Sequence, residues 1–159
     1  LEFHKKSVSE YTANLCANAI GQEVFGSLAH ESSLDLKKWY KSQREYYREL
    51  MYSIRGKLLK EIPGLIVSNP EAAIYLVIDF RNICDDIFDA TDFVKYCASE
   101  GKVDIDGRNY TLLLAPMGGF YSDSNQGRTQ MRVAMVEPKD LIEKTPEVLS
   151  RLYFDYLNK

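Results

Sequence analysis

Leu36, Tyr40, Tyr47, Leu50, Ile54 and Leu58 recur at spacings of three, four and seven, with lysines, arginines and glutamates between them. A stripe of that period is one face of an α-helix, and it obliges the rest of the chain to supply an apolar surface for it to lie on. Ser32-Ser33-Leu34-Asp35 opens the helix as a capping box: a serine oxygen accepts a freed backbone N–H and the acid answers three positions on. Ile62-Pro63-Gly64 ends it, because proline cannot continue the hydrogen-bond ladder.

Downstream segments supply that surface. Residues 65–67 read as a short strand and Ser68-Asn69-Pro70 as a turn. Residues 73–78, Ala-Ile-Tyr-Leu-Val-Ile, have the length and branching of a buried strand. A polar loop through Asp85 and Asp86 leads to Asp89 as N-cap of a helix from Ala90, closed at Gly101 where a left-handed residue is expected. Val103-Asp104-Ile105, Asp106-Gly107 and Arg108 onward predict a tight hairpin, since Asp-Gly tolerates positive φ. Residues 111–115 read as another strand, Pro116-Met117-Gly118-Gly119 as a loop, and residues 131–136 as a core strand. Pro138 stands where a helix can begin. Thr145-Pro146-Glu147 opens a last helix, with threonine as the cap and Leu149, Leu152, Tyr153 and Tyr156 on its buried face. Upstream, the first ~28 residues are helical by the same periodicity, with Val8, Tyr11, Leu15 and Ala19 on one face. Helices, strands with antiparallel pairing, then a C-terminal helix predict an α+β fold: a two-layer sandwich of a small mixed or antiparallel sheet with helices.

A length of 159 residues suits a single domain, folded from end to end. The formal charge of -3 and pI near 5.5 argue against nucleic acid or an anionic membrane as partner, which need a basic face. No apolar run approaches the ~20 residues of a membrane-spanning helix, and the N-terminus lacks a signal layout. Cys16, Cys84 and Cys97 form no CxxC pair. With only two histidines they fit reduced buried thiols in a cytoplasmic protein and leave little for a zinc site. His30-Glu31 begins like HExxH, but the run is HESSL and the second histidine is missing, so a solvated pair is the better reading.

Chemistry-bearing residues are sparse. Asp85-Asp86 could hold a cation, yet neighbouring acids in a polar loop are usually solvated. Glu71 and Asp79 have no partner that position alone identifies. Gly118-Gly119 lacks both the Walker and the dinucleotide spacing and reads as a turn. There is no GxSxG, and neither histidine has a serine or cysteine at a favourable spacing. Arg132 is different in kind. Alternate residues of a strand share a face, so it points with Ala134 and Val136, opposite Met131, Val133 and Met135. A cation on an apolar face must snorkel, pair with an acid or meet a ligand anion, and structural pairing is the commoner outcome. Its donor fork suits a carboxylate bidentately.

Two linked blocks carry a family resemblance. Pro116-Met117-Gly118-Gly119-Phe120-Tyr121, a polar loop, Gly127-Arg128 and Met131-Arg132-Val133-Ala134 resemble the C-terminal part of fold type I pyridoxal-phosphate aminotransferases, most of all the aspartate aminotransferase branch. That pattern reads Pro-x-x-Gly-Phe-Tyr, then Gly-Arg or Gly-Lys, then an arginine followed by an aliphatic residue and alanine. Ile62-Pro63-Gly64 with Asn69-Pro70 is similar to a further family segment, whose Gly-Ala-Phe-Tyr stands here as Ala72-Ala73-Ile74-Tyr75. The likeness spans essentially the whole chain.

The resemblance implies that residues 1–159 are the small C-terminal domain of such an enzyme, and that Arg132 holds the α-carboxylate of amino acid and 2-oxo acid substrates. It assigns no defined role to residues 116–121. The family's Ser-x-x-Lys segment, its Asn-Pro loop and the aspartate that pairs with the pyridine nitrogen have no counterpart here. The aldimine lysine would precede Leu1, in a large cofactor-binding domain outside this chain. No catalytic, cofactor-binding or metal-binding residue is therefore expected in these 159 residues. Pyridoxal phosphate belongs to the full-length enzyme, a cytoplasmic homodimer, and the isolated chain is expected to be inactive. An apolar surface near the first helix or around Phe120-Tyr121 is expected to be exposed. The alternative is a free-standing, non-catalytic α+β domain that binds a carboxylate metabolite or a protein partner, with Arg132 as anchor or internal ion pair.

Overall fold

The structure is a computed structural model that describes residues 1–13 and 18–159. Leu15 and Cys16, which the sequence reading places in the first helical segment, lie outside the described residues. The chain divides into two compact units, Leu1–Gln43 and Arg44–Lys159.

The first unit holds α1 (Glu2–Ala13), α2 (Ala19–Gly26), a 3-10 turn (Ser27–His30) and the beginning of α3 (Ser33–Glu61). Asn18 caps α2 by accepting from the Gly21 amide at 2.8 Å. The capping box forms as the sequence predicts. Ser32 Oγ accepts from the Asp35 amide at 3.1 Å and its hydroxyl donates to the Asp35 carboxylate at 2.6 Å. None of the described residues of this unit is buried. The early part of the α3 stripe, Leu36 and Tyr40, therefore lies outside the core, whereas Leu50, Ile54 and Leu58 are buried together with Met51.

The second unit contains the hydrophobic core. Its sheet has four antiparallel strands in the order β1-β2-β6-β5: β1 (Ile66–Val67), β2 (Tyr75–Asp79), β5 (Ala115–Pro116) and β6 (Gln130–Ala134). The hairpin β3 (Val103–Ile105) and β4 (Arg108–Tyr110) stands apart as a two-stranded sheet. Asp106 at φ 55° and Gly107 at φ 77° make the turn that Asp-Gly predicts. Helices α4 (Ala90–Ser99), α5 (Lys139–Ile142) and α6 (Thr145–Leu157) complete the unit. The fold is α+β, with an antiparallel sheet.

Packing explains where the sequence reading and the structure part. The strand expected at 73–78 begins two residues later, because Ala73 turns at φ 62°. Residues 111–114 are irregular, and only Ala115 and Pro116 pair with β6. Gly101 is not left-handed. It is required by closeness, since a Cβ there would stand 2.8 Å from Leu152 Cδ2 and 3.2 Å from Cys97 Cα. Thr145 is the first residue of α6 rather than its cap, and it is buried, while Lys144 stands in the cap position without a side-chain bond. Asp89 does cap α4, accepting from the Thr91 amide at 2.7 Å.

One face of the sheet is the core face. Leu76 opposite Val133 and Ile78 opposite Met131 are all buried. An aromatic cluster adds to this core, with the Phe80 and Tyr153 rings 4.5 Å apart and Phe88 and Phe93 beside them. Each such side chain removed from water contributes about 1.5–3 kcal/mol. The Tyr153 hydroxyl donates to the Ile83 carbonyl at 2.8 Å, and burial pushes its pKa up to about 12.

Candidate functional site

The other face of the sheet presents Arg132. Its strand is flanked on both sides, with Val77 of β2 and Ala115 of β5 as lateral neighbours. Strand alternation puts it on the side of Tyr75, Val77, Ala115 and Ala134, away from Met131 and Val133. The guanidinium carbon lies 4.2 Å from the centre of the Phe120 ring and 5.2 Å from that of Tyr75. Both contacts fall in the range where a ring quadrupole attracts a cation. The Nε atom is buried and has no hydrogen-bond partner. Among the described residues no carboxylate forms an ion pair with this arginine. The structural ion pair that sequence reasoning weighs as the commoner fate is not formed.

A carboxylate lies on the same sheet face, but it is satisfied elsewhere. Asp79, opposite Gln130, is only 4% exposed. Its Oδ1 accepts from the Arg81 amide at 3.0 Å and the Thr129 hydroxyl at 2.7 Å. Its Oδ2 accepts from Arg81 Nε at 2.6 Å and Gln130 Nε2 at 2.9 Å. Burial alone would raise its pKa, but the bonds from Arg81, Thr129 and Gln130 outweigh that and hold it below the ordinary carboxylate value. Gln130 continues the network, its Oε1 accepting from the Tyr121 hydroxyl at 2.7 Å. Sequence reasoning misses this cluster. Thr129 and Gln130 lie 50 and 51 residues from Asp79, and no spacing rule reaches that far.

The two sequence blocks around Arg132 meet in space. After β5, the Met117 amide donates to the Gln130 carbonyl at 2.9 Å, and Gly118–Phe120 form a 3-10 turn. Gly127 sits directly beneath: a Cβ there would stand 2.6 Å from the Met117 carbonyl carbon and 2.8 Å from the Gly118 nitrogen. Arg128 donates from Nη1 to the Asp86 and Phe88 carbonyls at 2.8 and 2.7 Å, tying down the loop before α4.

The remaining candidates stay apart from this site. Asp85 accepts from the Ile87 and Phe88 amides at 3.2 and 2.9 Å and so serves its own turn. Among the described residues no group of histidine, cysteine and acid side chains could hold a metal ion. His30 and Glu31 are exposed. Cys97 is a buried free thiol whose pKa burial pushes up to about 12, and Cys84 is half-buried and free. Every lysine is exposed except Lys144, which is half-buried and holds its ammonium 5.4 Å from the Tyr110 ring centre. No helix among the described residues is long and apolar enough to cross a membrane.

No protein-family model and no curated protein matches the chain. Solved structures do. The alpha-aminoadipate aminotransferase of Thermus thermophilus, determined in complex with N-(5'-phosphopyridoxyl)-L-leucine, superposes with a TM-score of 0.70 at 16% identity over 99% of this chain. The N-succinyldiaminopimelate aminotransferase of Mycobacterium tuberculosis superposes with a TM-score of 0.56 at 19% identity over 72% of it. The chain spans 36% and 27% of the lengths of those two proteins. It has the fold of a part of such aminotransferases.

Proposed function

We propose that residues 1–159 are the small C-terminal domain of a pyridoxal-phosphate aminotransferase, and that Arg132 binds the α-carboxylate of the substrate. The observation that carries this reading is the guanidinium itself. It stands on the second face of the sheet between two aromatic rings, with a dry Nε and no acid partner. An unpaired buried donor costs about 1–3 kcal/mol, and a carboxylate accepting from Nε and a neighbouring Nη would remove that cost. The fold of the two solved aminotransferases supports the same reading.

In this proposal the lysine and the phosphate seat belong to a large domain outside these residues. The chain's own part is to bind and orient the carboxylate of an amino acid or 2-oxo acid. The sequence blocks favour aspartate as amino donor, a finer assignment that donor kinetics of the parent enzyme would test. A cytoplasmic homodimer remains part of the proposal.

The test is Arg132→Ala in the parent enzyme. KM should rise and kcat/KM should fall on the order of a hundredfold, as when one partner of a desolvated charge pair is removed. Unchanged kinetics would overturn the assignment. The isolated chain mixed with pyridoxal phosphate and an amino donor should show no amino transfer, and measurable turnover would sink the two-domain reading.

A further inference from the structure

The loop that carries Phe120 is held at two points by a single residue of the neighbouring strand. Gln130 is buried, and its carbonyl accepts from the Met117 amide at 2.9 Å while its side-chain Oε1 accepts from the Tyr121 hydroxyl at 2.7 Å. Between those two bonds lies the turn Gly118–Phe120, and at its end the Phe120 ring covers Arg132.

The direction of the side-chain relay is fixed by chemistry. An ionised Asp79 only accepts, so Gln130 must turn its amide nitrogen toward it, at 2.9 Å. That leaves the amide oxygen for Tyr121, whose hydroxyl must donate. Phe120 itself is 59% exposed, so its own burial does little to hold the ring. The fixed points are its neighbour Tyr121, the Met117 amide and Gly127 packed under the loop.

Resting on the reading of Arg132 as a carboxylate site, we infer that Tyr121 and Gln130 are positioning residues that strap Phe120 over the guanidinium. The ring then stands in place before a carboxylate arrives, and the site does not lose affinity to ordering it. A preformed site binds more tightly than one that must assemble, because the cost of freezing its parts is met in folding.

Coupling distinguishes a strap from general structural support. Pyruvate is titrated against the ¹⁵N-labelled chain, following the backbone amides of residues 115–121 and 130–134, and the Arg132 Nε–H where it is present, in five forms: unaltered, Tyr121→Phe, Phe120→Leu, the double variant and Arg132→Gln. Tyr121→Phe is expected to weaken pyruvate binding about threefold to tenfold when Phe120 is present and to have no further effect when residue 120 is leucine. In the absence of ligand, Nε–H exchange with solvent should be faster in Tyr121→Phe. If Tyr121→Phe has no effect, or an equal effect in both backgrounds, the strap is wrong. If the unaltered chain binds no pyruvate, or Arg132→Gln binds it equally well, the carboxylate reading fails first and the strap with it. If Arg132→Gln abolishes binding and Tyr121→Phe changes neither affinity nor exchange, only the strap falls.

Discussion

Two glycines separate two different demands on a single residue. Gly107 has φ 77° with nothing within 4 Å of where a methyl group would stand, so its need is purely conformational. Gly127 needs space: its missing Cβ would meet backbone atoms of Met117 and Gly118, which cannot swing aside. Gly107→Ala should therefore cost about 1–2 kcal/mol in urea unfolding, the penalty of a left-handed residue with a side chain. It should leave the surroundings of Arg132 unchanged. Gly127→Ala should cost about 1–3 kcal/mol, as for other overpacked sites, and should also shift the resonances of Phe120 and Arg132. A chain in which Gly127→Ala leaves those resonances in place would refute the close seating of the loop. Both glycines stand out in the sequence, one through Asp-Gly and one through Gly-Arg. Which need each serves is not legible there, because a close approach depends on a residue some ten positions away.

Among the elements, most signals set by neighbours in the chain were legible, the Thr145 cap and a left-handed Gly101 being the exceptions, and those governed by distant partners were not. The Asp106-Gly107 hairpin, the Ser32 capping box and the Asp89 cap all follow from local chemistry and all form. Residues 111–114 have strand-like composition but lack a partner until Ala115 reaches β6. The role of Arg132 depended on what its sheet face offers, and alternation gave the face without showing whether an acid stood there. The Asp79 network joining β2 to β6 lay beyond sequence patterning altogether, and it makes stability depend on acid. The folded chain holds the Asp79 carboxyl below its ordinary 3.8, so in acid the unfolded chain takes up a proton that the folded one resists. This contribution is complete above about pH 5 and is lost as pH falls through the folded-state value. Asp79→Asn should lower stability at neutral pH and flatten the fall in unfolding midpoint below pH 4. An acid limb of undiminished slope would show that other carboxylates carry it.

At the scale of the whole molecule, the buried core begins at Leu50 and the first unit exposes its large apolar side chains. Phe3 is 85% exposed, Phe25 77% and Trp39 56%. A chain beginning at Arg44 should keep a cooperative thermal transition, because every residue of the core cluster is retained. Loss of that transition would mean that the first unit contributes to the core. The full chain should sediment with a concentration-dependent coefficient, and Phe25→Ser with Trp39→Ser should reduce the effect.

The order of the strands limits what form any such association takes. The two outermost strands, β1 and β5, contain two residues each, and β5 ends in Pro116, which has no amide hydrogen to offer a newcomer. A foreign strand finds almost no unpaired backbone along the rim of this sheet, and the long, well-paired strands are enclosed between the short ones. Clusters of this protein should therefore remain soluble, reversible on dilution and dark to thioflavin, held together by side chains of helices rather than by a growing cross-β ladder.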